Sequence, residues 1–245
     1  MPKLYIIPNL IGDSPINRNL PDDVIKQICT LKYFIVEERK SANKLLKEAG
    51  VPTPFKDVVI EVADKTTVNS IIKDIVTDAN GQDIGLLSEA GYPGIADPGT
   101  EVVKAAGKLG YDVVSFPGPS SIMMALAASG CQGQFFTFHG YLPSEENARE
   151  GQLKRLEQFA NDGYTQIWIE TPYRNSAMIR SIGQALSPET QVVLAVSLTT
   201  VDEKIIRNMA PNYKTFTEDL NRLPIVYLMH IPNSYHKQTG GKRLK

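Results

Sequence analysis

The sequence predicts an α/β protein of two similar halves, on three observations. Short runs rich in Val, Ile, Leu and Tyr alternate with helix-length amphipathic stretches, the order expected of βαβ units and a mainly parallel sheet. Glycines and prolines cluster where the two kinds of segment meet, as turn-forming residues should. The 245 residues are 42% hydrophobic, enough for a substantial core in one large domain or two small ones.

In chain order, strands are expected at LYIIP from Leu4, YFIVEE from Tyr33, DIGLLSE from Asp83 and DVVSF from Asp112. They continue with FFTFHGYL from Phe135, TQIWIE from Thr165, QVVLAVSL from Gln191 and PIVYLMHI from Pro224. Between them, PDDVIKQICTL, SANKLLKEAG, TVNSIIKDIVTDAN, PGTEVVKAAGKLG, PSSIMMALAASG, ENAREGQLKRLEQFAND and RNSAMIRSIGQAL carry apolar residues at helical spacing. Ser41, Thr67 and Ser120 sit where helix N-caps belong, and Gly50, Gly110 and Gly130 follow the last periodic residues. Phe116-Pro117-Gly118-Pro119 is the best dividing point, giving an N-terminal domain over 1–117, a C-terminal domain over 118–235 and a loose tail over 236–245. Lys237, Lys242, Arg243 and Lys245 of that tail read as a solvated end.

Composition excludes several classes of function. A formal net charge of -1 removes the global basic field of a strong non-specific nucleic-acid binder, so any RNA contact must come from a local patch. Cys29 and Cys131 lie far apart, which argues against a disulfide framework and for a reducing compartment. The opening MPKLYIIPNLIGD has no long apolar leader, and no run approaches the roughly 20 residues that span a bilayer. A soluble cytoplasmic protein without membrane contact is therefore expected. His139, His230 and His236 are scattered, so no metal site is expected. His139 reads as a hydrogen-bonded structural residue, Trp168 as core, and Met123 and Met124 as core filler.

The most informative stretch is LLSEAGYPGIADPG, Leu86 to Gly99, where three glycines and two prolines separate a buried-strand pattern from a helix. Glycines remove the Cβ atoms that keep a ligand from bare backbone, and the carboxyl end of a parallel strand is where ligands bind in open α/β sheets. The same glycines also suit a tight strand-to-helix connection needing positive φ, and spacing does not separate the two. A second loop, FPGPSS from Phe116, again ends a strand and opens a helix, offering the Ser120 and Ser121 hydroxyls and unpaired N–H groups. Neither loop matches a Rossmann or Walker phosphate motif.

Together the two loops resemble the S-D-A-G-T-P-x-I-S-D-P-G and P-G-P-S segments of the ribosomal small-subunit methyltransferase I family, within the tetrapyrrole methylase superfamily. LYIIPNLIGD, EERKSANKLLKEAG, FHGYLP and IETPYR are similar to further family motifs in the same order, across more than 200 residues. The resemblance implies two α/β domains, a homodimer, and S-adenosylmethionine in a cleft between the domains. It puts Leu10, Gly91, Tyr92, Ile95, Ser120, Ser121 and Ile122 around the cofactor, with Ile169 and Glu170 as a further cofactor-proximal segment. For a ribose hydroxyl of small-subunit ribosomal RNA, a carboxylate or lysine would take or orient the proton. Glu37, Glu38, Lys40, Glu89, Glu170 and Arg174 are the candidates by position, and Glu89 and Glu170 stand first.

The chain departs from the family at Glu89 and Tyr92, at Glu38, Arg39 and Lys40, and at Tyr173. Where the family has a basic run after Leu-Pro, Pro143 is followed by Ser144, Glu145 and Glu146, and only then Arg149. A basic run neutralises phosphates, so two other readings stand beside ribosomal RNA: a small-molecule acceptor such as a tetrapyrrole, and a catalytically inactive dimeric scaffold.

Overall fold

The computed structural model describes residues 1–97 and 99–232. Pro98, His236 and the expected tail over 236–245 lie outside the described residues. The chain divides into two compact units, Met1–Ser120 and Ser121–Lys245, each an α/β assembly, as the sequence predicts.

The first unit contains β1 (Lys3–Ile7), α1 (Asp22–Thr30), β2 (Tyr33–Val36), α2 (Arg39–Ala49), β3 (Val59–Val62), α3 (Asn69–Asp78), β4 (Ile84–Leu87), α4 (Gly99–Lys108) and β5 (Asp112–Ser115). Its sheet has the order β3-β2-β4-β1-β5, with every pair parallel. The carboxyl ends of all five strands therefore share one edge. β1, β2 and β4 are buried nearly throughout, because helices cover both faces of a parallel sheet and leave no polar side. One face packs against Ile28, Leu45 and Leu46, the other against Ile72, Val76 and Val102.

The second unit contains α5 (Ser121–Ser129), β6 (Phe136–Tyr141), α6 (Glu146–Asn161), β7 (Thr165–Ile169), α7 (Asn175–Ala185), β8 (Gln191–Val196), β9 (Lys204–Met209) and β10 (Ile225–His230). Its sheet runs β6-β7-β10-β8-β9 and corrects the expectation of a mainly parallel arrangement. Only β6 and β7 pair in parallel; the other three pairs are antiparallel. β8 and β9 are joined by a turn with no helix between them, too short for a parallel crossover. Trp168, fully buried, lies at the centre of this core, stacked on Tyr227 with ring centroids 5.5 Å apart.

All seven expected helices form, but the sequence reading missed β3 and β9. Both are edge strands with charged residues breaking their apolar runs, VIEV and KIIRNM, so neither has the alternation that betrays a strand. Two caps also differ. Glu38, not Ser41, caps α2: its carboxylate accepts from the Lys40 and Ser41 amides at 2.8 and 2.6 Å, which holds it below the usual carboxylate range. Thr67 does not cap α3, which starts behind Val68 with no side-chain cap; its hydroxyl closes the turn at Asp64 instead. Gly50 ends α2 in the left-handed conformation, as expected. His139 bonds Gln166 at 2.8 Å, also as expected. Met123 is 46% exposed and so is not core filler, since α5 is apolar on every side and only one face meets the sheet.

Candidate active site

At the carboxyl edge of the first sheet, the loop after β4 is tied back to the end of β1. Asn9 and Gly91 form an antiparallel bridge, with N–H···O distances of 2.8 and 3.1 Å in the two directions. The buried Asn9 side chain donates to the Ser88 and Glu89 carbonyls at 2.9 and 3.1 Å, while its own oxygen accepts from the Leu10 amide at 2.8 Å. Ser88 Oγ lies 3.1 Å from the Ala90 and Gly91 carbonyls. Gly91 has φ +68, in the left-handed region where a Cβ is strained. Leu10, Gly91 and Tyr92 are thus drawn together, and the Tyr92 hydroxyl donates to the Phe116 carbonyl at 2.9 Å, linking this loop to the one before Ser120. Ile95, at the loop's crown, is 49% exposed.

The loop's far end closes on Asp97. Its Oδ1 accepts from the Gly94 and Gly99 amides at 2.6 and 2.8 Å, so one carboxylate oxygen pins the turn into α4. Beside it, Glu37 accepts from the Glu89 amide at 2.9 Å, and Glu89 itself is exposed. Burial pushes the carboxyls of Asp97 and Glu37 above their ordinary values, against the backbone N–H groups that pull each down. Sequence reasoning named neither Asn9 nor Asp97 as a loop anchor. The signal for Asp97 is its place before Pro-Gly, since Asp commonly hydrogen-bonds local backbone in turns.

A pH-dependent prediction follows from Asp97. Its pKa is raised on folding, so between the unfolded and folded values the native state holds more protons, and stability falls as pH rises through that window. In Asp97→Asn the amide oxygen keeps both hydrogen bonds and the charge is gone. Thermal melts should show variant and wild type converging towards the acid end and the variant equal or more stable at about pH 7. A wild-type advantage that grows with pH would show that the charge itself is favourable.

In the second unit, Ser121 opens α5 and Ile122 is buried behind it. Ile169 ends β7, and Glu170 follows with its side chain 1% exposed. Glu170 Oε1 accepts from the Thr171 amide at 2.6 Å and from Arg174 Nε at 2.8 Å. This candidate base is therefore committed to ordering the Thr171–Arg174 turn, from which Tyr173 projects, 80% exposed. Of the other candidates, Glu38 is a helix cap. In the segment after Pro143, Arg149 is buried, bonded to Ser181 and the Ser144 carbonyl. Glu145 caps α6 through the Asn147 and Ala148 amides. The segment after Pro143 thus starts a helix and turns its arginine inward. Among the described residues no group of three or more His, Cys, Asp or Glu is arranged to hold a metal ion, and no helix is long and apolar enough to cross a membrane.

Residues 27–212 match the family model for Tetrapyrrole (Corrin/Porphyrin) Methylases. The chain belongs to this family. The methylase is 30% identical over 204 residues to Ribosomal RNA small subunit methyltransferase I of Vibrio cholerae, an overlap of 83% of this chain and 67% of that one. Its identity to the protein of the same name from Haemophilus influenzae is 28% over 220 residues, 89% and 74% of the two chains. The Bacillus subtilis protein of that name is 30% identical over 207 residues, 83% and 66%. Among solved structures, the methyltransferase CobJ superposes with a TM-score of 0.62 at 15% identity, covering 95% of each chain. A conserved hypothetical protein from Aeropyrum pernix K1 superposes at 0.67 and 12% identity, covering 99% of this chain and 91% of that one. These two likenesses establish the fold, and the sequence relatives place the methylase on the small-subunit methyltransferase I branch as a methyltransferase.

Proposed function

We propose that this methylase transfers a methyl group from S-adenosylmethionine to RNA of the ribosomal small subunit, at the ribose 2′-hydroxyl of a cytidine. The observation that carries the reading is the glycine-opened loop after β4, fixed to the end of β1 by the Asn9–Gly91 bridge. It offers bare backbone at the carboxyl edge of a parallel sheet, where α/β proteins bind their ligands. Leu10, Gly91, Tyr92, Ile95 and Ser120 hold the cofactor from the first unit in this reading, and the family resemblance adds Ser121, Ile122 and Ile169 of the second. When bound, the cofactor supplies an activated methyl group and its own leaving group. The protein's tasks are then alignment and exclusion of water. Glu89, exposed beside the fixed loop, takes the hydroxyl proton, and Glu170 orients Arg174. The RNA acceptor follows the names of the relatives. The reading has the protein acting as a homodimer in the cytoplasm, as the resemblance implies.

Calorimetric titration with S-adenosylmethionine and S-adenosylhomocysteine, followed by labelled-methyl transfer to small ribosomal subunits, tests it. Saturable binding is expected, with label recovered in a dinucleotide resistant to alkali, because a 2′-O-methyl group blocks cleavage at that ribose. Gly91→Val, which forces a Cβ-branched residue into φ +68, should abolish binding. Failure of both ligands to bind would leave a scaffold role. Binding with transfer to a tetrapyrrole and none to RNA would give the small-molecule reading.

A further inference from the structure

The turn after β7 is more ordered than its packing requires. None of Pro172, Tyr173 and Arg174 is buried, so the turn adds little to the core of the second unit. It is nevertheless fixed on two sides. Glu170 Oε1 gathers the Thr171 amide at 2.6 Å and Arg174 Nε at 2.8 Å, while Oε2 is buried with no hydrogen-bond partner among the described residues. Keeping a carboxylate with one unpaired oxygen out of water is costly, and what it secures here is the shape of the turn. On the other side, the Pro172 carbonyl accepts from the Arg222 amide at 3.1 Å, and Ser176 Oγ, in the first turn of α7, bonds Asn221 Oδ1 at 2.9 Å.

The product of this arrangement is one aromatic ring held in solvent. Tyr173 is 80% exposed, and Thr171, Ser176, Asn221 and Arg222 around the turn are exposed and polar. A protein interface needs contiguous apolar area. A single fixed ring among polar groups instead matches one flat base, which stacks on it whatever its identity. Arg222 supplies an independent observation. Its φ is +65, in the left-handed region that a long side chain seldom adopts and that clusters at binding sites. Its side chain is exposed, with no hydrogen-bond or ion-pair partner among the described residues. The acids of the same loop are engaged elsewhere, Glu218 with Lys204 at 2.7 Å and Asp219 with the Asn221 amide at 3.0 Å. Because the Arg222 amide is bonded to Pro172, the ring and the unpaired cation leave the backbone at one corner. A base with its phosphate uses a π face and a cation together.

We propose that this corner holds an unpaired nucleotide of the RNA substrate, with Tyr173 stacking on the base and Arg222 taking the adjoining phosphate. The proposal rests on the RNA reading above.

The test measures the affinity of the full chain for small-subunit RNA over a series of salt concentrations. Wild type is compared with Tyr173→Ala, Tyr173→Phe, Tyr173→Leu, Arg222→Gln and Arg222→Lys. Calorimetry follows S-adenosylmethionine binding, and sedimentation follows the oligomeric state. Tyr173→Ala should lose affinity by about 5- to 150-fold, the range for one stacked base, with its salt slope unchanged. Tyr173→Phe should keep the affinity, and Tyr173→Leu should behave like the alanine variant, since leucine restores apolar area without a π face. Arg222→Gln should lower the slope of log affinity against log salt by roughly 0.7, one single-strand phosphate contact, and Arg222→Lys should keep it. All five should melt and bind S-adenosylmethionine like wild type, because neither side chain is part of the core. Wild-type RNA affinity in Tyr173→Ala or Tyr173→Leu overturns the stacking and leaves the RNA reading standing. An unchanged slope in Arg222→Gln removes the phosphate contact. A wild type that binds no RNA overturns both the corner and the RNA reading. If Tyr173→Ala instead dissociates an assembly that wild type forms, the ring belongs to a contact between copies of the chain and the assignment to RNA falls.

Discussion

Gly99→Ala is expected to weaken binding of the methyl donor by more than about 100-fold, roughly 2.7 kcal/mol, with a smaller loss of stability. A Cβ at position 99 would lie 2.7 Å from the Gly94 amide nitrogen, 3.0 Å from Asp97 Oδ1 and 3.2 Å from the Pro93 carbonyl carbon. Two of these neighbours are backbone and cannot rotate away, and the third is the oxygen that holds both ends of the turn. Relief must come from displacing the Gly94 segment, and with it the crown at Ile95. Overpacking of this kind costs about 1–3 kcal/mol, which a 245-residue chain can absorb while the loop loses its shape. Gly107→Ala is the control, since it sits in α4 with nothing within 4 Å of its added Cβ and should leave donor affinity unchanged. Calorimetry on the two variants checks this, and a Gly99→Ala protein that binds donor like wild type would remove the loop from the site.

Trp168→Ala should destabilise the second unit by about 3–5 kcal/mol. The indole is fully buried, stacked on Tyr227, and surrounded by Leu153, Met178, Ile182 and Leu194 of the same core. Trp168→Phe should cost far less. The Trp168 Nε1–H is buried without a hydrogen-bond partner among the described residues, and an unsatisfied buried donor carries a penalty of about 1–3 kcal/mol. Phenylalanine keeps the stacking and removes the orphan donor, so part of the lost volume is offset. Chemical denaturation followed by circular dichroism gives the comparison, since Trp168 is the chain's one tryptophan and its fluorescence disappears in both variants. Equal losses in the two variants would mean that the ring stacked on Tyr227 contributes nothing to stability.

The parts of the fold that were readable in advance are those where one physical signal dominates. β1, β2 and β4 are short apolar runs because both faces of their sheet are covered, and the helices other than α5, which is apolar on every side, announce themselves by spacing. β3 and β9 carry no such signal, because charged residues break their short apolar runs, whereas the other two edge strands, β5 and β6, are legible as DVVSF and FFTFHGYL. Helix starts failed for a related reason. A glutamate at the cap position of α2 outcompetes Ser41 by reaching two amides at once, and Thr67 is engaged in the turn before α3. The candidate site was legible as a pair of loops, yet what fixes the first loop is the side chain of Asn9. Its partners Ser88 and Glu89 are some 80 positions away in the sequence. No local pattern carries that information.

The strand order of the first unit has a bearing on how the protein is made. Leu4 leaves the ribosome well before its register partners in the sheet, Ile84 on one side and Val113 on the other. The apolar segment from Leu4 to Ile7 must therefore wait, unpaired on both edges, until nearly the whole unit has been synthesised. Non-local parallel pairing closes slowly, and exposed apolar strands invite association between nascent chains. The second unit begins with no such debt to a distant segment in its β8–β9 hairpin, whose strands follow each other directly. Vectorial synthesis thus exposes β1 longest among the strands of this unit, and slowing translation before β4 would lengthen the interval in which it needs protection.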